Sequence, residues 1–418
     1  MSGDRTGEMD AFVAEARAIS VVEAFQRGGG VIGTARQSVR AQGPGGAKYV
    51  GPCPACGGRD RFSMDRGKNV YNCRGCGGGD AIGLYQKMTG ADFLDACEVL
   101  LGRDRPGPAR SAADLAEAAR RRRAAEARAA QLREEAAERE RQRESEAAFY
   151  RRRELDRCLD IWSAAGAFFG SEAERYLVAR GLDPSQVNPA YLRCVPRLTY
   201  WGRDAEGRNA ALHEGPAMVA VFVVPETGSW RIVGLHQTWI DLDAPAKFRP
   251  AIADRQEPGA FLPTKKMRGS KAGGVIPLVG RLSTARRMVA GEGIETVLGF
   301  GQREGFDENT FYCAAGDLGN LCGGATRESR FRHPNAVRRD TAGRKRPVWV
   351  QGQEPDPDSV AMPVPGHITE LVLLGDGDSE PVATRAAMKR GARRHERGGR
   401  TVAVVMAPAG TDFGEVAA

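Results

Sequence analysis

Four cysteines near the start of the chain stand at the spacing that holds a metal ion. Cys53 and Cys56 form one CxxC pair, and Cys73 and Cys76 form a second. A CxxC turn closes one edge of a tetrahedron with two thiolates, and two such turns joined by a hairpin complete it. That is the coordination Zn²⁺ takes in structural sites. None of the 5 histidines lies in this segment, so the ligand set is all sulfur. With four protein ligands no position stays open for a substrate, and the site is structural. Iron–sulfur clusters use a different spacing.

A second set of residues has harder chemistry. Glu292 in GEGIET and Asp376 and Asp378 in GDGD each follow an apolar run that reads as a buried strand. In open parallel sheets, function gathers beyond the carboxyl ends of the strands. Two carboxylates leaving one strand end, with a third from its neighbour, make an oxygen cage for Mg²⁺ or Mn²⁺. Such cages serve phosphoryl and nucleotidyl transfer, where developing negative charge must be neutralised. A single acid at such a place is better read as a helix cap. An acid after one strand and an acid pair after another argue for the cage.

The elements that must position these groups follow from composition and pattern. A chain of 418 residues implies two to four domains, and 41% hydrophobic residues are enough for ordinary cores. The net charge of +8 favours a polyanionic partner, nucleic acid first and an anionic membrane surface second. No apolar run is long enough to span a bilayer, and the opening MSGDRTGEMDAF lacks the basic start and apolar core of a secretory signal. A cytoplasmic protein is expected. In a reducing compartment Cys97, Cys158, Cys194, Cys313 and Cys322 read as small buried hydrophobes.

Residues 10–27 carry apolar positions at helical spacing and stop at GGG, 28–30. After the cysteines, residues 81–102 read as two short amphipathic helices. RPGPARS, 105–111, is a linker, and Ser111 with Asp114 forms a helix-start pair. A long helix of Ala, Arg, Glu and Gln then runs to about Arg157, read first as a solvated spacer and second as a nucleic-acid-gripping helix. A helix at 174–182, two strands within 216–241 joined by a glycine-containing turn, and the basic TKKMRGSKAGG at 264–274 make a mixed region. From 284 onward apolar strands alternate with helices, the signature of a buried parallel sheet, and the Arg-, Pro- and Gly-rich stretch 323–366 is a surface insertion. The fold class is multidomain α+β and α/β: a small zinc ribbon within 1–104, a charged helix over 105–157, a mixed basic subdomain over 158–283 and a parallel α/β sheet over 284–418. No GxxxxGK[ST] occurs, which excludes a fused P-loop motor.

Around the cysteines, Arg59, Arg61, Arg66, Lys68 and Arg74 interleave with Tyr49, Phe62 and Tyr71. Flat rings beside guanidinium groups suit unpaired bases and phosphates. Phe62 and Tyr71 have a second reading as the module's own small core, which is expected for at least one of them.

CPACGGRDRF followed by YNCRGCGGGDAIGLYQKMTG resembles the zinc-binding domain of bacterial, phage and plasmid DNA primases. Many members have His at the second ligand position, where this chain has Cys56. The four-cysteine form resembles the phage and mobile-element branch. GEGIET and GDGD resemble the Toprim domain of primases and topoisomerases. That resemblance implies Glu292 as general base or metal ligand, Asp376 and Asp378 as the metal-binding pair, and Asp412 in PAGTDFGEV as a further acid. The chain departs from the family after the acid pair, where SEPVAT puts Pro381 near a usual glycine. The middle region resembles the basic subdomain that precedes Toprim, which implies phosphate or nucleotide contacts for His236, Lys265, Lys266, Arg268 and Lys271, beside Arg61, Phe62 and Tyr71 of the zinc module. Together these imply a DNA primase making short RNA primers from ribonucleoside triphosphates on single-stranded DNA. It would carry structural Zn²⁺ and catalytic Mg²⁺ or Mn²⁺ and act with a separate replicative helicase. A Toprim nuclease and a non-catalytic single-strand-binding protein are the rival readings.

Overall fold

The computed structural model describes residues 3–33, 38–42, 46–107, 111–226, 229–244, 247–339 and 343–416. The chain forms two compact units, Met1–Ala148 and Phe149–Ala418.

In the first unit the helix expected at 10–27 is two helices, α1 (Gly3–Ala18) and α2 (Val21–Arg27). The break falls at Ser20, whose Oγ accepts a hydrogen bond from the Val22 N–H at 3.3 Å and so starts a new helix. Five short antiparallel strands follow in chain order: β1 (Arg40–Gln42), β2 (Lys48–Cys53), β3 (Gly57–Asp65), β4 (Val70–Cys73) and β5 (Gly77–Gly79). Each CxxC is the turn between two of them, β2 to β3 and β4 to β5. The glycine after the second cysteine of each pair has positive φ, +70° at Gly57 and +82° at Gly77, which is why CxxCG recurs. Helices α3 (Ala81–Thr89) and α4 (Phe93–Leu101) complete the unit. Phe25, Phe62, Met64, Tyr71, Leu84 and Met88 form one core beneath the cysteines.

The division between units falls inside α5 (Ala112–Ala164). Its start is a reciprocal box: the Asp114 N–H donates to Ser111 Oγ at 3.1 Å, and the Ser111 N–H donates to Asp114 Oδ2 at 3.3 Å. The centre of the expected linker, 108–110, lies outside the described residues. The helix is not simply a solvated spacer. Ala125, Ala129 and Leu132, at i, i+4 and i+7, are buried in the first unit, and Cys158 and Trp162 are buried in the second. A seam of alanines is hard to see in an alanine-rich sequence, because the exposed face is alanine-rich too.

After the end of α5, the second unit continues with α6 (Glu172–Ala179). A four-stranded antiparallel sheet follows, ordered β11–β8–β7–β6, from β6 (Leu192–Arg203), β7 (Asn209–Glu226), β8 (Ser229–Trp239) and β11 (Lys265–Gly269). The small pair β9 (Ile252–Ala253) and β10 (Phe261–Leu262) lies between β8 and β11 in the chain. Residues 227–228 of the expected glycine turn are outside the described residues. A second sheet is ordered β12–β14–β13–β17–β18, from β12 (Ile276–Val279), β13 (Arg287–Gly291), β14 (Thr310–Ala314), β17 (Glu370–Gly375) and β18 (Thr401–Met406). β13 runs parallel to β14 and β17, and β17 parallel to β18, while β12 is antiparallel on the β14 edge. Crossover helices α7 (Ile294–Glu304) and α9 (Pro381–His395) and the short α8 (Leu318–Cys322) and α10 (Phe413–Val416) flank it. The stretch 323–366 carries a hairpin of β15 (Phe331–Arg339) and β16 (Lys345–Val350). The two larger sheets share a core that includes Met218, Phe222, Ile276, Leu278, Val289, Tyr312 and Leu374.

All five scattered cysteines are buried free thiols. Among the described residues no helix is long and apolar enough to cross a membrane.

Candidate active site and metal centre

The four cysteine sulfurs lie within 4.8 Å of one another. Across the two turns, Cys53 and Cys76 are 3.6 Å apart and Cys56 and Cys73 are 3.5 Å apart. A tetrahedron built on metal–sulfur bonds of about 2.3 Å has edges of about 3.8 Å, so these residues fit Zn²⁺. The backbone supports the ligand set: the Gly75 N–H points at Cys73 Sγ at 3.4 Å. Burial pushes the Cys73 thiol up, yet N–H groups of Gly75 and Cys76 and the neighbouring thiols hold it down to about 6.

Phe62 is completely buried, stacked on Phe25 with ring centroids 5.8 Å apart, and Tyr71 is buried beside it. Neither ring can receive a base. On the alternating β3 and β4 strands their side chains point inward into the core beneath the cysteines, with Phe25. Arg61 is exposed.

In the second unit the acids collect at the carboxyl ends of neighbouring strands. Glu292 follows β13 and Asp376 follows β17. Glu292 Oε2 accepts a hydrogen bond from the Leu318 N–H, at the start of α8, at 3.1 Å, while its Oε1 is buried with no partner. Asp376 Oδ1 accepts from Thr296 Oγ1 at 3.0 Å. Burial, then the charge of Asp376, raises Glu292 to about 7. Burial, then the charges of Asp412 and Asp378, raises Asp376 to about 6 against the Thr296 hydrogen bond.

Gly377, between the two aspartates, has to be glycine. A Cβ there would sit 2.0 Å from the Pro408 carbonyl oxygen. Its N–H donates to the Thr411 carbonyl at 2.9 Å, which draws the 408–412 loop and Asp412 toward Asp376. Asp412 also caps α10, accepting from the Glu415 N–H at 2.8 Å. Asp378 is exposed at the rim. The unusual Pro381 is the first residue of α9, and Glu380 caps that helix, accepting from the Val382 and Ala383 N–H groups at 3.0 and 2.6 Å. Among the described residues only the cysteines bring three or more ligand atoms within 4.8 Å of one another. The acids therefore surround a space without closing on it.

Alternation along β11 sorts the basic residues. Lys265 faces the acids: its Nζ donates to Glu295 Oε2 at 2.7 Å, and Tyr176 Oη donates to Glu295 Oε1 at 2.7 Å. Glu295 is buried; burial alone would raise it, but Lys265 holds it well below the ordinary carboxylate range. Lys271 pairs with Asp317 and bears on Glu292. Asn320 fixes the loop before β12, accepting from the Gly273 N–H at 2.9 Å and donating to the Gly274 carbonyl at 2.8 Å. Lys266 and Arg268 face away. Lys266 lies 3.5 Å above the Tyr200 ring, and Arg268 pairs with Glu154 at 3.3 Å. Both line a groove of about 650 Å³ with Arg157, Arg197 and Trp201. His236 is buried, and burial with the charge of Lys265 lowers it to about 4. A buried neutral imidazole is not a phosphate grip; it is a wall of the site behind Lys265. The sequence reading missed Glu295, Tyr176 and Thr296. The one local signal for Glu295 was a charge in an otherwise apolar helix start, and its partners lie 30 and 119 residues away.

Two family models match parts of the chain. Residues 48–82 match the zinc-binding domain of primase-helicase, and residues 152–278 match a domain of unknown function, DUF7146. Among solved structures, a DNA primase domain from Pseudomonas aeruginosa is 13% identical, covering 59% of this chain and 67% of its own, at a TM-score of 0.30. The DnaG primase catalytic domain bound to ssDNA is 11% identical, covering 64% of this chain and 77% of its own, at a TM-score of 0.32. Both are loose likenesses.

Proposed function

We propose that the chain is a DNA primase of the phage, plasmid or mobile-element kind, which joins ribonucleoside triphosphates into short primers on single-stranded DNA. The observation that carries this is the state of Glu292 and Asp376: two carboxylates at adjacent strand ends, Glu292 raised by burial and by Asp376, Asp376 raised by burial and by Asp412 and Asp378, with one buried oxygen of Glu292 unpartnered. A cluster of carboxylates with a buried, unpartnered oxygen suits a divalent cation with hard-oxygen preference. Glu292, Asp376, Asp378 and Asp412 would hold Mg²⁺ or Mn²⁺, in the manner of a Toprim centre. Bound there, the ion supplies charge neutralisation at the transferring phosphorus.

The chain's own residues do the rest. Glu292, titrating near neutrality, can accept the proton of the attacking 3′-hydroxyl. Lys271, on the loop beside it, faces the triphosphate as a counter-charge. Lys265 is held by Glu295 and Tyr176 so that its ammonium points at the acids rather than at solvent. The match of residues 48–82 to the zinc-binding domain of primase-helicase supports the same reading.

The test is incubation with single-stranded DNA, labelled ribonucleotides and Mg²⁺. Wild type makes primers, and Asp376→Ala and Glu292→Gln each lower the rate by about a hundredfold or more with DNA affinity kept. Primer synthesis unchanged in both variants defeats the reading. Cleavage of DNA by wild type, lost in both, replaces it with the nuclease.

A further inference from the structure

The β15–β16 hairpin lies outside both matched segments and outside the acid site as described. Residues 331–350 hold six arginines and lysines against one acid, Asp340, so twenty residues carry +5 of the chain's net +8. The strands themselves, FRHPNAVRR and KRPVWV, contain no acid. Their register sets like charges directly opposite: Arg338 pairs with Arg346, and Arg339 with Lys345. All four are exposed. Like charges opposite each other destabilise a ladder, and a two-stranded ribbon has little packing to offset that. Trp349 is 49% exposed, with the Arg332 guanidinium 5.6 Å from its ring centre.

The base of the hairpin is anchored. His333 sits in the irregular stretch between Arg332 and Val337, where its Nδ1 accepts from the Asn335 and Ala336 N–H groups at 3.1 and 2.7 Å. That leaves Nε2 as the donor, and it meets Glu380 Oε1 at 3.0 Å. Glu380 is the N-cap of α9 and stands two residues beyond Asp378. The ribbon therefore springs from the rim of the acid site.

We infer that the β15–β16 hairpin is a nucleic-acid surface, gripping the phosphates of the strand that enters or leaves the acid site. Arg338, Arg339 and Lys345 would make phosphate contacts, and Trp349 with Arg332 would stack on an unpaired base. A polyanion removes the cross-strand repulsion, so the charge arrangement that weakens the free ribbon favours the bound one. The choice of nucleic acid rests on the primase reading of the acids; an acidic protein surface is the competitor.

The experiment uses the full chain and fluorescence anisotropy on single-stranded DNA across a salt series. Arg338→Ala/Arg339→Ala/Lys345→Ala should lower the slope of log affinity against log salt by about 2, from about 0.7 per lost phosphate contact, and weaken binding about a hundredfold at 0.1 M salt. Trp349→Ala should weaken binding without changing the slope. The melting transition of the triple variant should match or exceed wild type, because the repulsion is removed. Unchanged affinity and slope in the triple variant overturn the inference and leave the primase reading intact. Unchanged DNA binding with lost binding to polyglutamate overturns it in favour of the acidic partner. A lowered slope in a protein that makes no primer upholds the hairpin surface while the primase reading falls.

Discussion

The two candidate metal centres of this chain are built in opposite ways. At the cysteines, two β-turns bring the sulfurs to 3.5 and 3.6 Å across the site, close to the edges of a zinc tetrahedron. At the strand ends, Glu292 and Asp376 come from segments more than eighty residues apart in the chain. They stop short of a cage and are left with raised proton affinity. Local backbone geometry forms the first centre. The second is formed by tertiary packing that works against the charges it assembles. A closed thiolate site holds one ion for structure, and an open, underfilled carboxylate site suits an ion that arrives with substrate.

The sharpest way to break this contrast is at the cysteines. Cys73→Ser with Cys76→Ser should take zinc from about one per chain to none, by metal analysis, because two remaining thiolates cannot hold it. Structural zinc contributes on the order of 10 kcal/mol to small modules, so residues 48–102 should become protease-sensitive. The Phe149–Ala418 transition should survive. Full zinc in the double variant, or joint loss of both units, would show that the cysteines are not an independent local centre.

This division also explains what the sequence made legible. The zinc ligands lie within 24 residues and are specified by turns, so spacing alone reveals them. The acid types at strand ends were legible because apolar runs mark the strands. Burial of His236 was not, and burial of Phe62 and Tyr71 was legible only beside a base-stacking reading, because a ring in a basic segment serves a core or a surface until packing decides. Lys265 was legible only as one lysine among several. Its role comes from Glu295 and Tyr176, joined to it by a fold that no local pattern encodes. The break at Ser20 and the alanine seam of α5 were missed for a simpler reason: cap residues and alanines are weak signals inside a strongly helical stretch.

The next effect in size probes a buried charge cluster at the acid site, Glu295 with Lys265 and Tyr176. Glu295→Ala leaves Lys265 and the buried Tyr176 hydroxyl without their partner. Breaking a buried pair from one side costs about 3–5 kcal/mol, so the second unit should melt well below wild type. Glu295→Gln keeps the shape and one hydrogen-bond acceptor and should cost less. Because Glu295 is held below its ordinary range, its stabilisation is present above the unfolded carboxylate pKa and is lost as pH falls through the lower folded value. The stability difference between Glu295→Gln and wild type should therefore shrink on acidification. A difference that is flat with pH would mean the pair is not ionic.

The smallest effect reads the underfilled site itself. Glu292 and Asp376 have folded values raised to about 7 and about 6. For a raised carboxyl group the sign is the reverse of Glu295: its contribution is fully present below the unfolded value, near 4, and is lost as pH rises through the folded value. Without divalent metal the second unit should thus lose stability between about pH 5 and pH 7.5. The site is open on one side to solvent, which limits the loss to the order of 2 kcal/mol. That corresponds to a fall of about 4–8 °C in the melting temperature for a unit of this size. Mg²⁺ binds the ionised form, so it should restore most of the loss at pH 8 and almost none at pH 5. Glu292→Gln should flatten the metal-free pH dependence and also blunt the Mg²⁺ effect, since it removes both the repulsion and a ligand. If Mg²⁺ shifts the melting temperature equally at pH 5 and pH 8, the ion is binding elsewhere and the contrast between the two centres fails. If Glu292→Gln leaves the pH profile unchanged, the strand-end acids are not the groups that set it.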